Sequence, residues 1–435
     1  MVGGYGVIDA AGNKTSYAYN EIGCLVSVTD ASGNVTSYEY DTSGRNTKIT
    51  NALGQSMEFV YDNAGNVISS SDYAGKVTKY SYDRSNKLTL KTNSDGNTYY
   101  YYQNNGAISS VRDNTGTITY TYNESNALVK VSYPNGQYVE YSSDIAGNKT
   151  SMSTSGGTTY YEYDSQGRIS NVRDGSGNTT AYTYDNNGNR SSVSYANGIN
   201  VAYTYDSMNR LTKQIITNGI GEVVEEYDYT YGKSGELIGI NETGRSVSYN
   251  YDELYRLVSE TIVMADGKHS VYEYEYDNNG NRISKTENGV KTSYEYNALN
   301  QLTKADESEY LYDEAGNLIS VSSENSESSY EYNTDNMLVK AEVNGVVEEY
   351  QYDYSGNRIS KKSEGEYTYY LNDILDNYTQ VIDEIDENGA VKCHYTRGVG
   401  LVSQTRYELS YYISDVHDSV RMLADSEGNI TDTGP

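Results

Sequence analysis

One pattern, Y-x-Y-D-x-x-G-N/R-apolar, limits what this chain can fold into more than anything else in it. A clear copy is Tyr161-Glu162-Tyr163-Asp164-Ser165-Gln166-Gly167-Arg168-Ile169, and copies recur from Tyr17 to about Asn377. Aligned on the second Tyr, there are 18 copies, and 14 of the 17 intervals between them are 20 or 21 residues. A period of that length and regularity is the mark of a repeat array, which overrides any domain count drawn from length alone. Two long intervals, 26 residues into Tyr231 and 25 into Tyr276, and one short interval of 16 into Tyr312, are expected to change a hairpin without breaking the array.

Within a copy the alternation has period two. In Thr180-Ala181-Tyr182-Thr183-Tyr184 the first Thr and both Tyr share one face of a strand. Aromatic and β-branched side chains favour such a pleated surface, and Tyr beside Tyr on neighbouring strands is expected to join one copy to the next. The residue after the second Tyr is Asp in 12 copies and Asn in four more, residues whose side chains open turns. Four residues after that Tyr stands Gly in 11 copies and Asn in five (Asn86, Asn126, Asn209, Asn300, Asn336), which predicts a left-handed backbone there. Two residues on, 12 copies carry Leu, Ile or Val, which starts the return strand, while Arg190, Arg282 and Arg358 break that rule. A second Gly turn, as in Asp174-Gly175-Ser176-Gly177-Asn178, completes the unit. The fold class that follows is all-β, a long antiparallel array of β-hairpin repeats whose sheet curves and spirals, because long sheets twist.

Composition narrows the function classes. The 52 Tyr stand against one Phe (Phe59) and no Trp, with hydrophobic residues at 36%. Tyr offers a broad apolar body with a hydroxyl that stays wet, which suits a sheet surface better than a deep core. The net charge of −29 argues against a nucleic-acid partner, since phosphate binding needs clustered cations. No apolar run reaches membrane-spanning length, and the N-terminus has no signal-peptide pattern. Cys24 and Cys393 are too isolated for a disulfide framework or a zinc site. After residue 376 the pattern changes, so the organisation read here is a repeat array over 1–376 and a different module over 377–435.

The repeated motif resembles the YD repeats of the Rhs family, found in bacterial polymorphic toxins, wall-associated proteins and, more distantly, teneurins. The match covers residues 17–376. The following segment is similar to the start of the Rhs-associated core domain, through Tyr395–Gln404 and through Asp415, Ser419, Val420 and Arg421 of a D-x-x-x-S-V-R signature. Val416, His417 and Asp418 depart from that signature. The resemblance implies a β-sheet shell that encloses a C-terminal toxin, released in toxin members by an aspartyl autoprotease. The sequence ends at Thr433-Gly434-Pro435, before the D-P-x-G cleavage region of the family.

Candidates for chemistry are few. His417 with Asp415, Asp418 and Ser419 holds the residue types of a hydrolase triad, but five residues of one turn do not supply triad geometry. His269 and His394 are lone. The turns Asp185–Asn189 and Asp277–Asn281 resemble half a calcium loop without its closing acid. The reading is therefore a non-catalytic scaffold with no cofactor and no metal. Its repeat-defining residues are Tyr161, Tyr163, Asp164, Gly167, Tyr182, Tyr184, Asp185, Gly188, Tyr274, Tyr276, Asp277 and Gly280. The expected partner is a C-terminal effector in an intact homologue, and the expected location is extracellular or at the cell surface. Open strand edges are expected to allow self-association. The alternative is an adhesion or carbohydrate-binding array that stacks sugars on its Tyr rows.

Overall fold

The computed structural model describes residues 3–376, 378–415 and 419–433, and among these residues it contains 42 β-strands and no helix. Two compact units emerge. The first comprises residues 1–101, 112–114 and 248–350; the second comprises 102–111, 115–247 and 351–435. In each, strands that follow one another in the chain pair antiparallel, as in Tyr38↔Ile49 of the first unit and Tyr161↔Val172 of the second.

Each repeat is one hairpin built in one way. Asp164 N–H donates to Arg168 O at 2.8 Å and Gly167 N–H donates back to Asp164 O at 3.0 Å, closing a tight turn. The Asp164 carboxylate accepts from the backbone N–H of Gln166 and of Arg168, both at 2.9 Å. Gly167 has φ +78°, and where Asn replaces Gly the backbone is equally left-handed, with Asn209 at +62°. Tyr255 occupies the same place at +59°, a conformation that a bulky residue rarely takes. A β-bulge follows: Glu162 pairs with Asn171 and Tyr163 with Ile169, so one residue of the return strand has no opposite number. The register is the same where Arg replaces the apolar residue, as in Tyr276↔Arg282, so no extra shift is absorbed. Arg282 instead lies over the rings of Tyr274 and Tyr294, at 5.8 and 4.8 Å.

Successive repeats are tied by three polar links. The hydroxyl of the second Tyr donates to the carbonyl that opens the preceding return strand, as in Tyr184 to Ile169 O at 2.8 Å, Tyr205 to Arg190 O at 2.9 Å and Tyr276 to Leu257 O at 2.7 Å. Where the Tyr has degenerated to Asn372, its side-chain amide donates to Arg358 O at 3.2 Å, the equivalent carbonyl. The residue after the turn Gly supplies the second link. An Arg there bonds its own Asp and covers the next Tyr: Arg168 Nε reaches Asp164 at 2.7 Å while its guanidinium sits 4.2 Å from the Tyr184 ring centroid. An Asn there bonds its own Asp and, in the third link, the left-handed Asn of the next turn: Asn189 reaches Asp185 at 3.0 Å and Asn209 at 2.9 Å.

The irregular repeats change only strand length. The long intervals become the strand pairs Leu211–Thr217 with Val223–Tyr231 and Leu257–Met264 with His269–Tyr276, and the short one becomes Leu302–Ala305 with Ser308–Tyr312.

Tyr184→Phe is expected to lower stability by about 1 kcal/mol, the worth of one hydrogen bond, whereas Phe59→Tyr, at the first aromatic position, leaves it unchanged within a few tenths; chemical denaturation of the two variants measures both. Acid supplies a second expectation. At Asp185 the Asn189 side-chain amide, against some burial and with the backbone N–H groups of Asn189 and Asn187, holds the carboxyl below its usual range, and at Asp62 the Asn66 amide does likewise. A carboxyl depressed in the folded state stabilises it fully above the unfolded value of about 3.9 and loses that contribution as pH falls through the folded value. The melting temperature should therefore hold steady from pH 8 to 5 and fall below about pH 4; a scan showing its main loss above pH 5 would contradict this origin.

Candidate functional site

In the second unit, one face of the central repeats is sealed. The Thr and first Tyr of each strand are buried there: Thr159 and Tyr161, Thr180 and Tyr182, with Val139 and Tyr141 in the same role. The covering layer is the strand set Glu366–Asp373, Gln380–Ile385, Val391–Gly398 and Leu409–Ser414. Its apolar content (Ile382, Ile385, Cys393, Ile413) is almost wholly inaccessible. Glycine permits the close approach. A Cβ at Gly398 would lie 2.6 Å from the Tyr182 hydroxyl and 2.8 Å from Val172, and a Cβ at Gly156 would lie 2.4 Å from the Asp383 carboxylate.

Polar side chains pin the two layers. Asp373, 1% exposed, accepts from the Tyr141 hydroxyl at 3.0 Å, from Leu375 N–H at 3.0 Å and from Lys149 Nζ at 2.5 Å. Burial, then the Asp373 charge, pushes the Tyr141 hydroxyl far above its ordinary value, so it stays a donor. His394, which sequence reading left as a lone residue, meets Asp383 at 2.6 Å, and the second Asp383 oxygen is buried without a partner. Gln214 donates to Ser414 O at 2.9 Å, Tyr195 to Tyr412 O at 2.9 Å, and Asn197 to Asp425 O at 2.8 Å.

The repeat-defining residues fall in two environments. Tyr161 and Tyr182 are buried in the sealed face, while Tyr163 and Tyr184 sit half-buried with their hydroxyls on Lys149 O and Ile169 O. Asp164, Asp185 and Asp277 each cap their own turn, with Gly167, Gly188 and Gly280 at φ +78°, +91° and +87°. Tyr274 and Tyr276 lie in the first unit. These residues come together as a wall, not as a cluster. Of the signature residues, Asp415 accepts from Ser419 N–H at 3.1 Å, and Val420 is exposed. Arg421 reaches Glu242 at 3.3 Å, which also holds Arg245 at 2.9 Å, and faces the Tyr227 ring at 5.8 Å. Val416, His417 and Asp418 lie outside the described residues, as does Asn377. Among the described residues no group of three His, Cys, Asp or Glu side chains is placed to hold a metal, and the Asp185 and Asp277 carboxylates are taken up by Asn189 and Asn281. Lys149, Asp373, Glu242 and Gln214 were not singled out from sequence. Lys149 carries one local signal, a cation where twelve other copies have Leu, Ile or Val.

The comparisons with known proteins follow this geometry. The family described as Teneurin YD-shell matches residues 240–432, and the RHS Repeat family matches residues 19–56, 61–98 and 163–199. Among solved structures, TcdB2-TccC3-TEV is similar with a TM-score of 0.72 at 15% identity, over 96% of this chain and 26% of that one. TcdB2-TccC3-Cdc42 is similar with a TM-score of 0.72 at 14% identity, over 96% and 26%. The Photorhabdus luminescens Tc holotoxin pore carrying TccC3-D651A gives 0.62 at 16% identity, over 96% and 27%. At these identities the likeness is one of fold, and this chain spans about a quarter of the length of those solved chains. No curated protein matches the sequence. With hairpin repeats of this build, both family matches and the shared fold agree that the chain carries YD (RHS) repeats and resembles the YD-shell proteins.

Proposed function

We propose that this chain is a stretch of non-catalytic wall in a YD-repeat shell, and that the intact protein uses the wall to enclose a C-terminal effector polypeptide. One observation carries the reading: the side chains that define each repeat are spent on holding the next repeat. The second Tyr is bonded to a carbonyl, the Asp to its turn, and the Asn or Arg to both its own Asp and the neighbouring copy. Catalytic groups need a nucleophile and base converging on a cavity, and these residues are instead strung out along a sheet. The same commitment of the Tyr hydroxyls favours the wall over the alternative, an adhesion or carbohydrate-binding array that stacks sugars on its Tyr rows. Residues 1–376 are read as the array, and 377–435 as the opening of a core-like module whose strands line it. Extracellular or cell-surface deployment goes with this role, since the wall is polar and strongly acidic.

Joint expression with the C-terminal effector segment of the intact protein tests enclosure. That segment should resist a protease under conditions that digest it when it is made alone; equal digestion rates would remove the enclosing role. The non-catalytic part has its own test. A hydrolase screen of the purified chain is expected to find no turnover, and turnover abolished by Ser419→Ala or His417→Ala would overturn it.

A further inference from the structure

In the second unit a cavity of about 530 Å³ opens between the strands Lys149–Ser153 and Thr158–Tyr163 and the end of Val391–Gly398. Tyr161, Tyr163, Ile169 and Leu375 give it an aromatic and aliphatic lining, and Arg397, Gln380 and the ion pair of Lys149 with Asp376 give it polar ends. A cavity of this size and mixture falls within the range of small-molecule sites.

Its charges are not balanced evenly. Lys149 is fully engaged, by Asp373 at 2.5 Å and Asp376 at 3.1 Å. Arg397 is different: its Nε donates to Val381 O at 3.0 Å, and neither of its terminal nitrogens has a carboxylate or any other protein partner among the described residues. It is half-buried, and burial pushes its guanidinium below the usual arginine range, with Tyr395, Tyr412, Asp373 and Asp376 acting at a distance to restore it. A half-buried cation whose terminal nitrogens lack a protein partner is open to an anionic ligand. The Tyr161 hydroxyl, held protonated by burial and by the charges of Asp373 and Asp376, likewise has no hydrogen-bond partner among the described residues and lines the same space. A planar fork of donors beside a phenol donor and aromatic walls is the arrangement that recognises a carboxylate carried on an apolar body.

We infer that this cavity binds a small organic carboxylate, with the terminal nitrogens of Arg397 and the Tyr161 hydroxyl on its oxygens and its aromatic or aliphatic body against Tyr163, Ile169 and Leu375. The site is separate from the enclosing role and stands whether or not that role holds.

The test is calorimetric titration of the purified chain at neutral pH and low salt with 3-phenylpropionate and with 3-phenylpropanamide, which shares its body but not its charge. The acid should bind at least about tenfold more tightly than the amide, as expected when a charge-assisted pair is lost. Arg397→Met should weaken the acid by about tenfold or more, and Tyr161→Phe by a few-fold, with unchanged circular dichroism. Equal binding of acid and amide, no binding of either at millimolar concentration, or wild-type affinity in a folded Arg397→Met chain would each overturn the inference. Should Arg397→Met not fold, the acid–amide pair on the wild-type chain decides.

Discussion

The bond from the second Tyr hydroxyl to the preceding repeat, made in most copies, is the interaction on which the array depends, because it serves a group that the sheet itself cannot. A bulge recurs just inside the return strand, as after Tyr163 and Tyr184, where one residue has no opposite number and the ladder is interrupted. The carbonyl leading into that extra residue, Ile169 O in one copy and Arg190 O in another, accepts from the phenol of the next copy. Backbone polar groups left without partners destabilise a fold, so the hydroxyl stabilises the array rather than merely wetting its surface. Two departures from the motif support this. The lone Phe, Phe59, stands at the first aromatic position, and its own copy keeps the second as Tyr61, bonded to Asn46 O at 2.8 Å. Asn372, which lacks a ring altogether, still supplies a donor to the equivalent carbonyl.

The variable positions of the motif obey the same logic of satisfying one copy and gripping the next. Asn and Arg alternate after the turn Gly because either can bond the turn Asp and still extend outward. Arg45, Arg168, Arg210 and Arg256 end over the Tyr of the following copy, at 4.7, 4.2, 4.8 and 4.8 Å. Asn takes the place of the left-handed Gly where it gains a partner: Asn86, Asn126, Asn209, Asn300 and Asn336 each accept from an Asn of the preceding turn. The small backbone cost of Asn over Gly at positive φ is offset by a bond between copies.

Much of this was legible in the sequence. Period-two alternation located the strands, the Asp and Gly positions located the turns, and the five Asn predicted to be left-handed are so. The role of the hydroxyl was less plain, although 52 Tyr against a single Phe was a numerical hint that ring area was not the whole requirement. What no local pattern records is contact across the sealed face. Arg421 and Glu242 stand 179 residues apart, Tyr141 and Asp373 232 apart, and neither pair leaves a periodic trace. His394 looked solitary because its partner Asp383 lies on the adjacent strand at a spacing fixed by hairpin length rather than by the repeat.

The two units are consequently stabilised by different physics although they share one repeat. Among the described residues, all the buried apolar side chains except Ala341 belong to the second unit. There, the strands after residue 365 turn the Tyr face into an interior, and burial of Val172, Val193, Ile382 and Ile413 adds the hydrophobic term of an ordinary core. In the first unit the corresponding Thr36, Tyr38 and Tyr40 remain half-buried. Its cohesion rests on ladder bonds, the Tyr–carbonyl, Arg–Tyr and Asn–Asn links, and sparse polar contacts such as Asn279 with Asp30 at 2.9 Å and Lys91 with Asp335 at 2.6 Å. Nearest-neighbour links of this kind make stability a sum over copies, so such a sheet tolerates repeats of 16 or 25 residues and keeps polar surfaces that stay hydrated. A wall that must stand without a filled core needs that tolerance, and the phenol bond supplies it one repeat at a time.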